Sequence, residues 1–161
     1  MIHWFNGSRD QCTNDQMRQS IESLDQQFTD LHQSCCDLIR QAATPLLYRN
    51  NDGESIGEQV RRSAAVVEQA FGGVTANLWD DPFEWTLPET LNTSEKVIEY
   101  LGEVEGTRRQ AFTAFQTDDD LSREIMTPSG PIGLLPFLLD TLERARHHQR
   151  QAKALLDRLT V

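Results

Sequence analysis

The run Leu134-Leu135-Pro136-Phe137-Leu138-Leu139-Asp140-Thr141-Leu142-Glu143-Arg144-Ala145-Arg146-His147-His148-Gln149-Arg150-Gln151-Ala152-Lys153-Ala154-Leu155-Leu156-Asp157-Arg158-Leu159 decides how this chain folds. Leu134, Leu138, Thr141, Ala145, His148, Ala152, Leu155 and Leu159 recur along it at steps of four and three. That period places them on one stripe of an amphipathic helix running from about Gly133 to Leu159. The turn sequence Thr127-Pro128-Ser129-Gly130-Pro131 precedes it and separates it from the rest of the chain.

Three more stretches carry the same signature. From Asp15 to Ala43, the residues Met17, Ile21, Leu24, Phe28, Leu31, Cys35 and Leu38 form a stripe. Thr13 with Gln16 reads as its capping box, and Thr44-Pro45 supplies the stop, because the residue before proline is pushed out of the α region. Ser55 with Glu58 starts a second helix whose stripe is Ile56, Val60, Ser63, Val67, Phe71, Val74 and Leu78, ended by Asp80-Asp81-Pro82. Gly72-Gly73 costs that helix roughly 1 kcal/mol per glycine and predicts a kink or a close approach there. Asn92 with Glu95 caps a third stretch, Val97, Leu101, Val104, Arg108, Ala111 and Phe115, in which Arg108 interrupts the stripe. Pro82-Phe83-Glu84-Trp85-Thr86-Leu87-Pro88 reads as a connection whose aromatics pack on the helices, and Thr117-Asp118-Asp119-Asp120 as a polar linker. No internal repeat and no strand of convincing alternation stands out. The pattern predicts an all-α four-helix bundle forming one domain over residues 1–161.

Composition agrees with a soluble single domain of 161 residues. Leu, Ile, Val and Phe make up about a quarter of the chain, above the roughly 20 % below which disorder is the default. A formal charge of −10 opposes binding to nucleic acid and to anionic lipid. Met1-Ile2-His3-Trp4-Phe5-Asn6 has neither a basic region nor an apolar run of secretory type, and no stretch approaches the roughly 18 apolar residues of a membrane helix. Cys12, Cys35 and Cys36 are odd in number and two are adjacent, which predicts reduced thiols in a cytoplasmic protein. Neighbouring cysteines point about 100° apart around a helix, which disfavours a shared soft metal.

The span Ser55-Ile56-Gly57-Glu58-Gln59-Val60-Arg61-Arg62-Ser63-Ala64, the connection Trp85-Thr86-Leu87-Pro88, and above all Arg144-Ala145-Arg146-His147-His148-Gln149-Arg150-Gln151 resemble the DinB/YfiT-like superfamily of helical metalloenzymes. The resemblance implies a four-helix bundle, commonly a homodimer, and a divalent zinc or nickel ion held by three histidines. One histidine would lie on the second helix and two at i, i+4 on the fourth. It also implies metal-dependent transfer or isomerisation chemistry on a small thiol.

Carried onto this chain, His148 matches the last ligand, Arg144 stands four residues before it, and Arg62 occupies the second-helix position. A guanidinium has no lone pair to give and repels a cation. The residues therefore predict a degenerate site at Arg62, Arg144 and His148 with no metal cofactor, His148 being the lone candidate ligand if zinc or nickel binds at all. Two fates of that site stay open. The arginines could form a cationic pocket for a carboxylate or phosphate of a small anionic ligand. They could instead be neutralised internally by Glu68, Glu105, Asp140 or Glu143.

No phosphate-cradling loop, nucleophile elbow, or Cys or Ser with a nearby histidine base appears. His32 reads as structural or exposed, His147 as solvated, Met17 as core, and Trp4, Trp79 and Trp85 as covers of the core edge. Three functions follow as expectations: a small-anion-binding protein without metal catalysis, a metal-dependent thiol transferase or isomerase, and a non-catalytic dimeric interaction protein. Cys36 and Ile39, apolar but off the first stripe, predict the homodimer surface.

Overall fold

In the computed structural model, which describes residues 17–161, four long helices pack around one core: α1 (Gln19–Leu47), α2 (Ile56–Ala76), α3 (Ser94–Phe112) and α4 (Leu134–Leu159). All four stripes deliver side chains to it, among them Ile21 and Leu24 from α1, Val60 and Phe71 from α2, Leu101 and Val104 from α3, and Leu138 and Leu155 from α4. Phe28, Phe71 and Phe112 form its aromatic centre, with ring centroids 5.4, 5.7 and 5.9 Å apart. Among the described residues no helix is long and apolar enough to cross a membrane.

The helix ends depart from the sequence reading in instructive ways. Thr13, Asp15 and Gln16 lie outside the described residues, as do Trp4 and Cys12. The first described turn of α1 is capped from far along the chain. Asp118 accepts hydrogen bonds from the Ser20 and Ile21 backbone N–H groups, both at 3.0 Å, and these hold its carboxyl below the usual range. The acidic run 117–120 is thus a capping device as well as a linker. Met17, expected in the core, is 48 % exposed, one turn before the stripe becomes buried. The Thr44-Pro45 stop does break α1: the backbone turns at Ala43 (φ 53, ψ 173), and a last turn carries Leu47 back into the core.

Ser55 caps α2 as expected, its side chain accepting from the Glu58 N–H at 3.2 Å. The helix stops four residues before Asp80, however, because Asn77 takes the left-handed conformation and its N–H and that of Leu78 close back on the Gly73 and Gly72 carbonyls. Leu78 is consequently off the stripe and 61 % exposed. Gly73 serves close approach: a Cβ there would come within 2.3 Å of the Trp79 ring, which folds back on the helix and also meets Phe137 edge-on. Thr93, not Asn92, caps α3, accepting from the Lys96 N–H.

Two further expectations are corrected. Glu124–Thr127 (β1) and Gly130–Gly133 (β2) form a small antiparallel hairpin where no strand was read. Strands of four residues, one containing Gly130, Pro131 and Gly133, are too short to show alternation. Cys36 and Ile39 are both buried inside the chain, because α1 is flanked by α2, α3 and α4 and needs a wider apolar face than one stripe. They offer no dimer surface. In the connection after α2, Phe83 is half-buried as expected, whereas Trp85 is 68 % exposed.

Candidate functional site

Near the middles of α2 and α4 the Ser63 hydroxyl donates to the Ala145 carbonyl at 2.8 Å. Both residues are small and buried, so the backbones approach without a cavity. One turn away, the larger Gln59 and His148 meet instead. A cleft of about 390 Å³ opens there, and its border includes Glu54, Glu58, Gln59, Arg62, His147 and His148.

His148 is half-buried, and its Nδ1 lies 2.9 Å from the Gln59 side-chain oxygen. The Gln59 amide nitrogen in turn donates to Glu54 at 3.3 Å, which fixes the oxygen as the acceptor and the His148 Nδ1–H as the donor. The lone pair of the neutral ring therefore sits on Nε2. Burial, and then the charges of His147, Arg62 and Arg144, hold the His148 pKa below its ordinary value, with Glu54 opposing them. His32 is held down in the same sense, chiefly by burial.

These two shifts make a prediction. A histidine whose folded pKa is depressed binds protons better in the unfolded chain, so its stabilisation is complete above about pH 6.5 and is lost as pH falls through the lowered value. Chemical denaturation at pH 7.5 and at pH 5 should show a less stable protein at pH 5, and His148→Gln should flatten part of that slope. An identical pH dependence in the variant would contradict the buried, neutral assignment.

Of the three positions singled out in the sequence, the structure brings two to one cleft. Arg62 lines it, donating through Nε and Nη2 to Glu58 at 3.1 and 3.0 Å, with its guanidinium 4.1 Å from the centroid of Phe83. Arg144, one turn from His148, is exposed and does not border the cleft. The neutralising partners differ from those expected. Glu68 accepts from Tyr100, Glu143 pairs with Arg150, and Glu105 pairs with Arg108 and Arg109. No ion pair among the described residues includes Asp140 or Arg144. Arg62 takes its carboxylate from one turn back on its own helix, since i, i+4 neighbours already touch.

The donor set does not fit a three-ligand metal site. Only His148 of the three positions can give a lone pair, and no group of three His, Cys, Asp or Glu among the described residues is arranged to hold a metal ion. The adjacent thiols also diverge. Cys35 Sγ lies 3.8 Å from the Ser63 hydroxyl, and Cys36 Sγ lies 3.7 Å from His32 Nε2, a Cys–His pair one turn apart that corrects the expectation of none. Burial pushes the Cys35 thiol up to about 12, so it stays protonated and unreactive.

Gln59, Glu54 and Arg61 escaped the sequence reading. Gln59 lies in phase with the buried positions Ile56 and Ser63, which was the available signal for a buried amide. Arg61 lies among the small residues Gly57, Ala64 and Ala65, a second face of α2 that is also covered. No known family model, characterised protein or solved structure matches the chain.

Proposed function

We propose that this chain is a DinB-like four-helix bundle whose family metal position has become a metal-free cleft for a small polar molecule. The observation that carries the reading is the cleft itself, a space of about 390 Å³ in which Arg62 and His148 share the wall. That volume is in the range of small-molecule sites, roughly 300–1,000 Å³. Arg62 keeps guanidinium donors that Glu58 does not use, suited to a carboxylate. His148 Nε2 and the Glu54 carboxylate accept hydrogen bonds. One guanidinium against two carboxylates fits a ligand bearing both an anionic group and a donor, as a free amino acid does, better than a bare anion. Nothing in this reading requires turnover, and neither the thiol transferase nor the dimeric interaction protein gains support from a particular contact.

A thermal-shift screen of free amino acids and small carboxylates tests it. At a hundredfold excess over Kd a ligand stabilises the fold by about 2.7 kcal/mol. At least one compound should raise Tm with saturation, and Arg62→Met should abolish that rise. The Arg62–Glu58 pair is solvent-exposed and worth about 0–1 kcal/mol, so the variant remains folded. A screen in which nothing raises Tm, or in which Arg62→Met changes nothing, overturns the proposal.

A further inference from the structure

One residue before Arg62 lies a second arginine, whose guanidinium also stacks on Phe83. Arg61 is 3 % exposed, yet no carboxylate among the described residues stands at ion-pair distance from it. Its Nη2 donates to the Thr86 carbonyl, and its guanidinium carbon lies 4.9 Å from the Phe83 ring centroid and 5.8 Å from that of Tyr48. Its Nε–H is buried with no acceptor at all. The contrast with Arg108, likewise buried but held by two carboxylates, is direct. A guanidinium taken out of water is normally retained with full hydrogen bonding and an opposite charge.

The geometry of the fork says what is missing. Nε–H and one Nη2–H of a guanidinium point the same way along one edge, the edge that binds a planar carboxylate bidentately. Here Nη2 is engaged by the Thr86 carbonyl, and the Nε–H of that edge is left orphaned. The segment that supplies it, residues 82–88, is held at Phe83 and Thr86, while Trp85 and Leu87 on the same segment are 68 % and 49 % exposed. It is a strap that meets Arg61 at one carbonyl and one ring, and the same ring also stacks on Arg62.

We propose that Arg61 anchors a second site, for the carboxylate of a small organic acid, which the strap covers in the structure described. The carboxylate takes both hydrogens of the Nε/Nη2 edge, displaces the Thr86 carbonyl, and supplies the buried cation with its opposite charge. The aromatic walls of Tyr48 and Phe83 favour a flat carboxylate over a tetrahedral phosphate. The site uses a different guanidinium from the Arg62–His148 cleft, and Phe83 stacks on both. The closed strap competes with the ligand, so apparent affinity is the intrinsic affinity reduced by the fraction of open strap.

Nitrogen-edited proton spectra of the ¹⁵N-labelled protein test this with acetate as the probe, against sodium chloride at matched ionic strength and inorganic phosphate. The Arg61 Nε–H resonance is the one missing from Arg61→Lys, or, if that variant does not fold, the one showing proton contacts to the Tyr48 and Phe83 rings. Acetate should shift it with saturation, and the Trp85 indole N–H should respond with the same midpoint. Phe83→Leu should lower that midpoint several-fold by loosening the strap. An unmoved Arg61 resonance, or an equal shift with chloride, overturns the site. A response to phosphate without one to acetate overturns the carboxylate assignment. A midpoint unchanged in Phe83→Leu, or a silent Trp85, overturns the strap.

Discussion

Replacing Arg108 by methionine should lower the unfolding free energy by about 3–5 kcal/mol, read as a fall in the urea midpoint with little change in slope. Arg108 is fully buried on α3, where it donates to both oxygens of Glu105, to Asp25, and to the Thr29 hydroxyl at 3.1 Å. Glu105 itself is nearly buried, and Arg109 completes its coordination at 3.0 Å. Methionine fills much of the space but leaves the Glu105 carboxylate with only an exposed partner. The cost of the variant is the stranded acid more than the lost attraction. Arg108→Leu combined with Glu105→Leu should therefore recover much of the loss, because an apolar replacement of a whole buried pair is often neutral. A single variant within about 1 kcal/mol of the parent would show that water reaches the pair and screens it.

Arg108 also shows what a sequence can and cannot disclose here. The helical stripes were legible because period depends only on local spacing, and every residue of the third stripe is buried, Arg108 included. What could not be read is why an arginine belongs there. Its partner Asp25 is 83 residues away on α1, and no local pattern links the two. The Asp118 cap on α1 has the same character, being closed over 97 and 98 residues. Helix ends were less legible than helix bodies, because one left-handed residue such as Asn77 ends a helix before the obvious stop signals at Asp80-Asp81-Pro82.

For the site, spacing put His148 on the apolar stripe of the fourth helix and the resemblance drew attention to Arg62, and both border the cleft. Residue type alone did not reveal that Glu58 already occupies Arg62, or that Gln59 fixes the His148 tautomer. Those are choices between neighbours, settled by which rotamers touch. Arg144 was placed by its i, i+4 relation to His148, which fixes a helix face but not how far round that face the cleft extends.

That distinction leads to the second large effect. The double variant Arg62→His and Arg144→His should acquire zinc affinity in the micromolar range or tighter, about 8 kcal/mol of binding free energy that the parent lacks. The change removes two permanent charges beside His148 and offers two imidazoles in their place. It also frees Glu58, until then occupied by Arg62, to accept a hydrogen bond from a metal-bound ring. His148 is already neutral, and its Nε2 carries the lone pair because Nδ1–H is engaged by Gln59. It would need no new tautomer to bind. Either single variant supplies two imidazoles and retains one guanidinium, so each should bind at least tenfold more weakly than the pair. Titration calorimetry on protein without a histidine tag measures all four forms, and falling pH should weaken binding as the rings protonate. If the double variant binds no better than the singles, positions 62, 144 and 148 do not converge on one point. The reading of this cleft as a former metal position would then fail.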